Sequence, residues 1–334
     1  GTVSFDYPVN TGANGIASLA GDMTVAGSLI LRNTNAVAAG FTIQSNLSGT
    51  PRTITVAGDY LVPATSQTGS VAIGVATTNK INVNVAGNVT LADSSLTSYA
   101  STTLNGTSTQ ILTKTAGTII AGLFVDKISG QAVLGNALAL SSAPITVASG
   151  TLKTAGYGIS GSNVVVSGPG TLLMQGTETL SATPTLAVSS TVTYEGSSTA
   201  ATTIKAYPYS NLTVQAGSNT LVLLATTTVS GNMNIISGTL DASSTRSYGL
   251  NVAGDWYNTG TFVPRNGTVS LNGTNQAIYG TTTFYNLTKT VASAATLTFA
   301  TTTQTITNTW NMSGASGNLL SFRSSAPGTQ WRIN

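Results

Sequence analysis

"GTVSLNGTNQAIYGTTTFYNLTK" occupies Gly267–Lys289, and "GTVSF" at Gly1–Phe5 restates its opening. In it Val269 and Leu271 alternate with polar neighbours, and the alternation breaks at Asn272-Gly273. Alternation with period two, closed by Asn-Gly, marks a short strand that runs into a tight turn. Asn and Gly both tolerate positive φ, so the chain reverses there at little steric cost.

Three related phrases recur along the chain. "TTLNGTSTQ" (Thr102–Gln110) and "VTYEGSSTA" (Val192–Ala200) repeat the first part of the quoted stretch. "GLFVDKISG", "NLTVQAGSN" and "NLTKTVASA" follow each copy, beginning their apolar alternation at Leu123, Leu212 and Leu287. A Gly-Ser/Thr-Leu element starts at Gly27, Gly150 and Gly238. A further phrase, apolar-small-Gly-Asp/Asn, is centred on Gly21, Gly58, Gly87, Gly231 and Gly254. The common order of these phrases predicts one continuous array of degenerate tandem repeats over 1–334, with units near 1–97, 98–189, 190–265 and an incomplete 266–334.

Short strands with turns every six to twelve residues suit two all-β architectures. One is a parallel β-helix, or β-solenoid, in which coils stack about 4.8 Å apart. The other is a string of β-sandwich domains. Sandwiches anchor thick cores on large aromatics, and here aromatics make up only 6% of residues, while Ala, Val, Leu and Ile dominate the 41% that are hydrophobic. The solenoid is therefore expected, with tandem sandwiches as the alternative. Its coils would hold about 20 residues, and each would bury its apolar face only against its neighbours.

Charge narrows the function. Charged residues are 6% of the chain, against about 25% in ordinary soluble domains. The net charge of +3 comes from scattered cations such as Arg32, Lys80, Lys127, Lys205 and Lys289. With no basic stripe, nucleic acid is not an expected partner. No apolar run is long enough for a membrane-spanning helix. Absence of cysteine removes disulfides and thiolate metal sites.

Catalysis needs groups that titrate or bind metal. Without His or Cys, no Ser–His–Asp or Cys–His arrangement is available. Asp22, Asp59 and Asp255 share a slot with Asn88 and Asn232, and Glu195 shares one with Asn105 and Asn272. A slot that accepts Asn is read as a turn former. Asp6, Asp93, Asp126, Glu178 and Asp241 remain, far apart in sequence. The expectation is a non-enzymatic protein with no catalytic residue, cofactor or metal ligand.

The phrases "VSLNGTNQAIYGTTTFYNLT", "GTLDASSTRSYGLNVAGDWYNTGTF" and "NLLSFRSSAPGTQW" resemble the long β-strand-repeat surface proteins of bacteria. That resemblance implies an exported protein of the cell envelope or extracellular space, adhesive or scaffolding in role. Two functional expectations follow. In the first, the chain is a self-assembling subunit of a filament, sheath or surface layer. No capping helix is legible at either end, so the strands bearing Val3, Phe5, Leu320, Phe322 and Trp331 are expected to meet further copies of the chain. In the second, it is an adhesin or stalk whose aromatic residues Tyr207, Tyr209, Trp256 and Tyr257 stack on cell-surface glycans.

Overall fold

The computed structural model describes all residues except 9–11, 36, 38, 67, 76 and 77. Among the described residues there is no helix, and the chain is an all-β, parallel β-solenoid of about 14 turns. It forms two compact units, Gly1–Leu172 with Glu178–Thr185, and Leu173–Thr177 with Leu186–Asn334.

In the first unit each coil carries three strands. Val3–Asp6, Gly15–Leu19 and Met23–Val25 form one coil, and Leu29–Arg32, Phe41–Ser45 and Arg52–Val56 form the next. The pairs Val3↔Leu29, Ala17↔Ile43 and Met23↔Ile54 hold the two in parallel register. Tyr60 then stacks on Leu29 and Val89 on Tyr60. All three are essentially inaccessible to solvent. The strands obey the alternation read from sequence, with Ile81, Val83 and Val85 inside and Asn82 and Asn84 half-exposed. Burying a Val, Leu or Ile side chain contributes about 1.5–3 kcal/mol. A lone coil covers neither flank of such residues, so stability comes from the stack. Farther along, Leu123–Leu134 and Ile145–Lys153 each run round a corner as one bent strand, turning at Gly130 (φ 66) and Gly150 (φ 73).

The second unit repeats the device. Asn211–Leu223 and Met233–Asp241 bend at Gly217 and Gly238. Between them the register slips around Gln215, where the corner residues bulge outward. This core is less aliphatic than the sequence suggested. Trp256 lies 5.1 Å from the Phe262 ring and 5.3 Å from Phe284, and its indole N–H donates to Thr282 Oγ1 at 3.0 Å. Tyr194 and Tyr209 meet through their hydroxyls at 2.9 Å, and Tyr209 donates to the Lys205 carbonyl.

One grouping of phrases changes. Gly27 shares the Gly-Ser/Thr-Leu phrase with Gly150 and Gly238, but its N–H donates to the Gly1 carbonyl and its own carbonyl accepts from Gly58 N–H. It therefore belongs to the column of Gly58 and Gly87, whose backbones bond rung to rung. A Cβ on Gly58 would sit 2.7 Å from the Gly27 carbonyl carbon, which leaves room only for glycine.

Candidate functional site

The Asp/Asn slot after these glycines is not a local turn device. Asp59 Oδ1 accepts from Asn88 N–H at 2.7 Å, and Asn88 Oδ1 accepts from Ile111 N–H at 2.7 Å. Ser28 Oγ begins the series by accepting from Asp59 N–H. In the second unit Asn211, Asn232 and Asp255 accept in turn from the N–H of Asn232, Asp255 and Ala277. Each bond spans one coil, 31, 29 and 23 residues in the first series and 21, 23 and 22 in the second. The slot accepts either residue because the bond that crosses to the next coil uses Oδ1, which Asp and Asn both carry. Within these two series, no carboxylate stands next to another.

Above each ladder sits a buried polar clamp. In Leu104–Gln110 the Gln110 Oε1 accepts from Gly106 N–H at 2.8 Å, while its Nε2 donates to the carbonyls of Val85 and Gly87 in the coil beneath. Lys127 then places Nζ 2.6 Å from Gln110 Oε1, bonded also to the carbonyls of Gly106 and Ser108. The same arrangement forms at Gln276. Its Oε1 accepts from Gly273 N–H at 2.9 Å, and its Nε2 donates to Val252 and Gly254. Lys289 Nζ lies 2.6 Å from Gln276 Oε1 and from the Gly273 carbonyl. Lys127 and Lys289 expose 2% and 1% of their surface. Burial lowers both amines below the ordinary lysine range, Lys289 to about 8.

The five remaining carboxylates do not converge on a groove. Asp6 pairs with Arg32 at 2.9 Å, Asp126 accepts from Ser149 Oγ, and Asp93 accepts from Thr65 and Ser95. Glu178 accepts from Thr154 Oγ1 and Gly156 N–H. Arg265 grips Asp241 through two bonds of 2.9 and 2.7 Å and holds its carboxyl below the usual range. Among the described residues, no three His, Cys, Asp or Glu side chains form a metal-binding group.

The aromatic residues separate into two classes. Tyr209 and Trp256 are buried in the core, where neither ring has a face to offer a sugar. Tyr207 is half-buried and packs against Tyr209 at 6.0 Å. Tyr257 is the exception. It is 36% exposed and stacks on Tyr279 of the next coil at 4.6 Å and 12°. Their pairing in register makes a short external aromatic column.

At the first coil, Val3–Asp6 pairs along one edge with Leu29–Arg32, and at the last, Leu320–Ser324 pairs along one edge with Ala295–Phe299. Val3 and Phe5 are half-buried, whereas Leu29 and Leu31 beneath them are sealed. Leu320 and Phe322 are likewise half-buried above the buried Ala295 and Leu297. Trp331 behaves differently from these strand residues. It folds inward over Phe299 of the preceding coil, stacking on it at 4.4 Å, with Phe322 at 6.1 Å.

Sequence reasoning missed the clamps, although a signal was present. Lys127 continues the alternation of Leu123 and Val125, and Lys289 that of Leu287, so both fall on interior positions. Trp256 was legible too, since it occupies the slot held by Tyr60, Val89 and Met233. No family model, curated protein or solved structure matches the chain.

Proposed function

We propose that the chain is a non-enzymatic structural protein, a self-assembling β-solenoid subunit of an extracellular filament, sheath or surface layer, to which copies add head to tail. The observation that carries this reading is the coil-on-coil stacking, in which inward side chains are buried against the coils on either side. Val3 and Phe5, and Leu320 and Phe322, point inward yet are half-buried, whereas Leu29, Leu31, Ala295 and Leu297, paired with them in the adjoining coils, are buried. A parallel edge with unpaired N–H and C=O groups is a template for a further strand. A head-to-tail contact that does not close produces a fibre. Sparse charge supports assembly, because little repulsion opposes it. The similarity of the repeat phrases to bacterial β-strand-repeat surface proteins supports a place in the cell envelope or outside it.

Negative-stain images and sedimentation of the purified chain test the proposal. Concentration-dependent fibres or sheets are expected. Val3 N–H donates to the Ser28 carbonyl in the coil beneath, which turns Ser4 N–H towards the opposite edge. Ser4→Pro should therefore block addition while leaving the subunit folded. A monodisperse monomer at high concentration would overturn the reading. The half-exposed Tyr257–Tyr279 column favours a second role, in which the assembled surface holds cell-surface glycans. Loss of glycan-array binding in Tyr257→Ala, with assembly unchanged, is the result expected from that role.

A further inference from the structure

The two lysine–glutamine clamps share more chemistry than a hydrogen bond requires. In each, an amine donates to the oxygen of a primary carboxamide at 2.6 Å, so with a C=O bond of about 1.23 Å the carboxamide carbon lies no more than about 3.8 Å from the amine nitrogen. In each, a glycine N–H at 2.8 or 2.9 Å polarises the same oxygen. Donors at that distance stabilise the oxyanion that forms when an acyl carbon is attacked. In each, the carboxamide nitrogen is held by carbonyl oxygens of the coil beneath, Val85 and Gly87 or Val252 and Gly254. Nucleophile, oxyanion donor and leaving-group acceptors thus surround one buried carbonyl, twice, although Lys127 follows its glutamine by 17 residues and Lys289 by 13.

We propose that these clamps are sites of covalent cross-linking, in which the Lys127 amine condenses with the Gln110 side chain and the Lys289 amine with the Gln276 side chain to give two lysine–glutamine amide bonds.

The step balances without any further reagent. The lone pair of the neutral Nζ forms a bond to Cδ, and the carbonyl π pair moves to Oε1, where the glycine N–H holds it. One Nζ proton passes to Nε2, the Cδ–Nε2 bond breaks, and ammonia leaves as the carbonyl reforms. Nothing is oxidised or reduced. Burial favours the uncharged amine that the attack requires, and for Lys289 that form is accessible near pH 8. Fixed contact between the partners replaces a bimolecular encounter, which is where intramolecular reactions gain most of their rate. Gln110 and Gln276 are 1% and 3% exposed, so competing hydrolysis is disfavoured. The product would fasten a corner loop to the strand of the next coil. This proposal is independent of whether the chain assembles.

Intact-mass measurement of the folded full-length chain, after incubation at pH 9, is the test. The expected mass falls short of the sequence mass by two molecules of ammonia. Lys289→Arg should restore one and Lys127→Arg/Lys289→Arg both. Proteolysis should release branched peptides that join Gln276 to Lys289 and Gln110 to Lys127. Succinimides at Asn-Gly lose the same mass, but hydroxylamine opens them and leaves a secondary amide untouched. A full sequence mass in the folded wild-type chain, or a deficit that hydroxylamine removes, overturns the proposal. Both outcomes are read on the wild-type protein and do not depend on a variant folding.

Discussion

At the scale of single residues, the ladder beside the glycine column explains a pattern that looks arbitrary in the sequence. Asp59 stands between Ser28 and Asn88, and Asp255 between Asn232 and Ala277. Adjacent rungs lie about 4.8 Å apart, close enough for like charges on neighbouring strands to destabilise the pair. Asn232→Asp keeps the Oδ1 acceptor but sets a carboxylate directly below Asp255. We expect it to lower stability by about 1 kcal/mol in urea titrations at pH 7, less in high salt. Adding Asp255→Asn restores one charge per pair and should recover the loss, whereas Asn232→Ala deletes the acceptor and should not be rescued by the same change. Equal stability of Asn232→Asp with and without Asp255→Asn would show that the ladder does not sense charge.

At the scale of elements, strand positions were legible because their cause is local. Val269 and Leu271 alternate within one strand, and Asn-Gly ends it within the next two residues. The partners that give a slot its role lie a coil away, and a linear reading does not see them. Asp59 was visible as a recurring position, but its acceptor function depends on Asn88, 29 residues on. Aromatic clustering alone does not say which side of a strand faces inward. Tyr209 is thus a glycan-contact candidate by sequence and a core residue in the fold, while Trp256 is placed inside only by the slot it shares with Tyr60 and Met233. Asp241 shows how such remote partners govern a turn. It closes Met233–Asp241, accepts from Ser243 N–H at 2.9 Å and is gripped by Arg265 from the following coil. The Arg265 bonds lower its pKa below the ordinary 3.8, so the folded state favours the ionised carboxylate. The resulting stability is complete above pH 3.8 and fades as pH falls through the lower folded value. Urea midpoints for Asp241→Asn should therefore vary less between pH 5 and about pH 3 than those of the wild type. An unchanged pH slope would remove this pair from the acid response.

At the scale of the whole molecule, the governing feature is that coils meet only their neighbours. Leu212–Val214 pairs with Met233–Ile235, which pairs with Trp256–Asn258. The ladder bonds of this region each advance by one coil, of 21, 23 and 22 residues. Such an array has no contact that fixes its length, so a complete coil can be removed without orphaning any element. Deleting 233–255 joins Asn232 to Trp256 and brings the strand of Leu212 beneath that of Trp256. The ladder would close as well, with Asn211 Oδ1 still accepting from Asn232 N–H and Asn232 Oδ1 taking the place of Asp255 as acceptor for Ala277 N–H. Deleting 233–243 removes less chain but shifts every later residue to a different face, exposing Leu250 and Val252 and burying their polar neighbours. The full-coil deletion is expected to keep a β-sheet circular dichroism spectrum and a cooperative thermal transition. The half-coil deletion is expected to lose the transition or to aggregate. If the two behave alike, nearest-neighbour stacking is not what holds the second unit together.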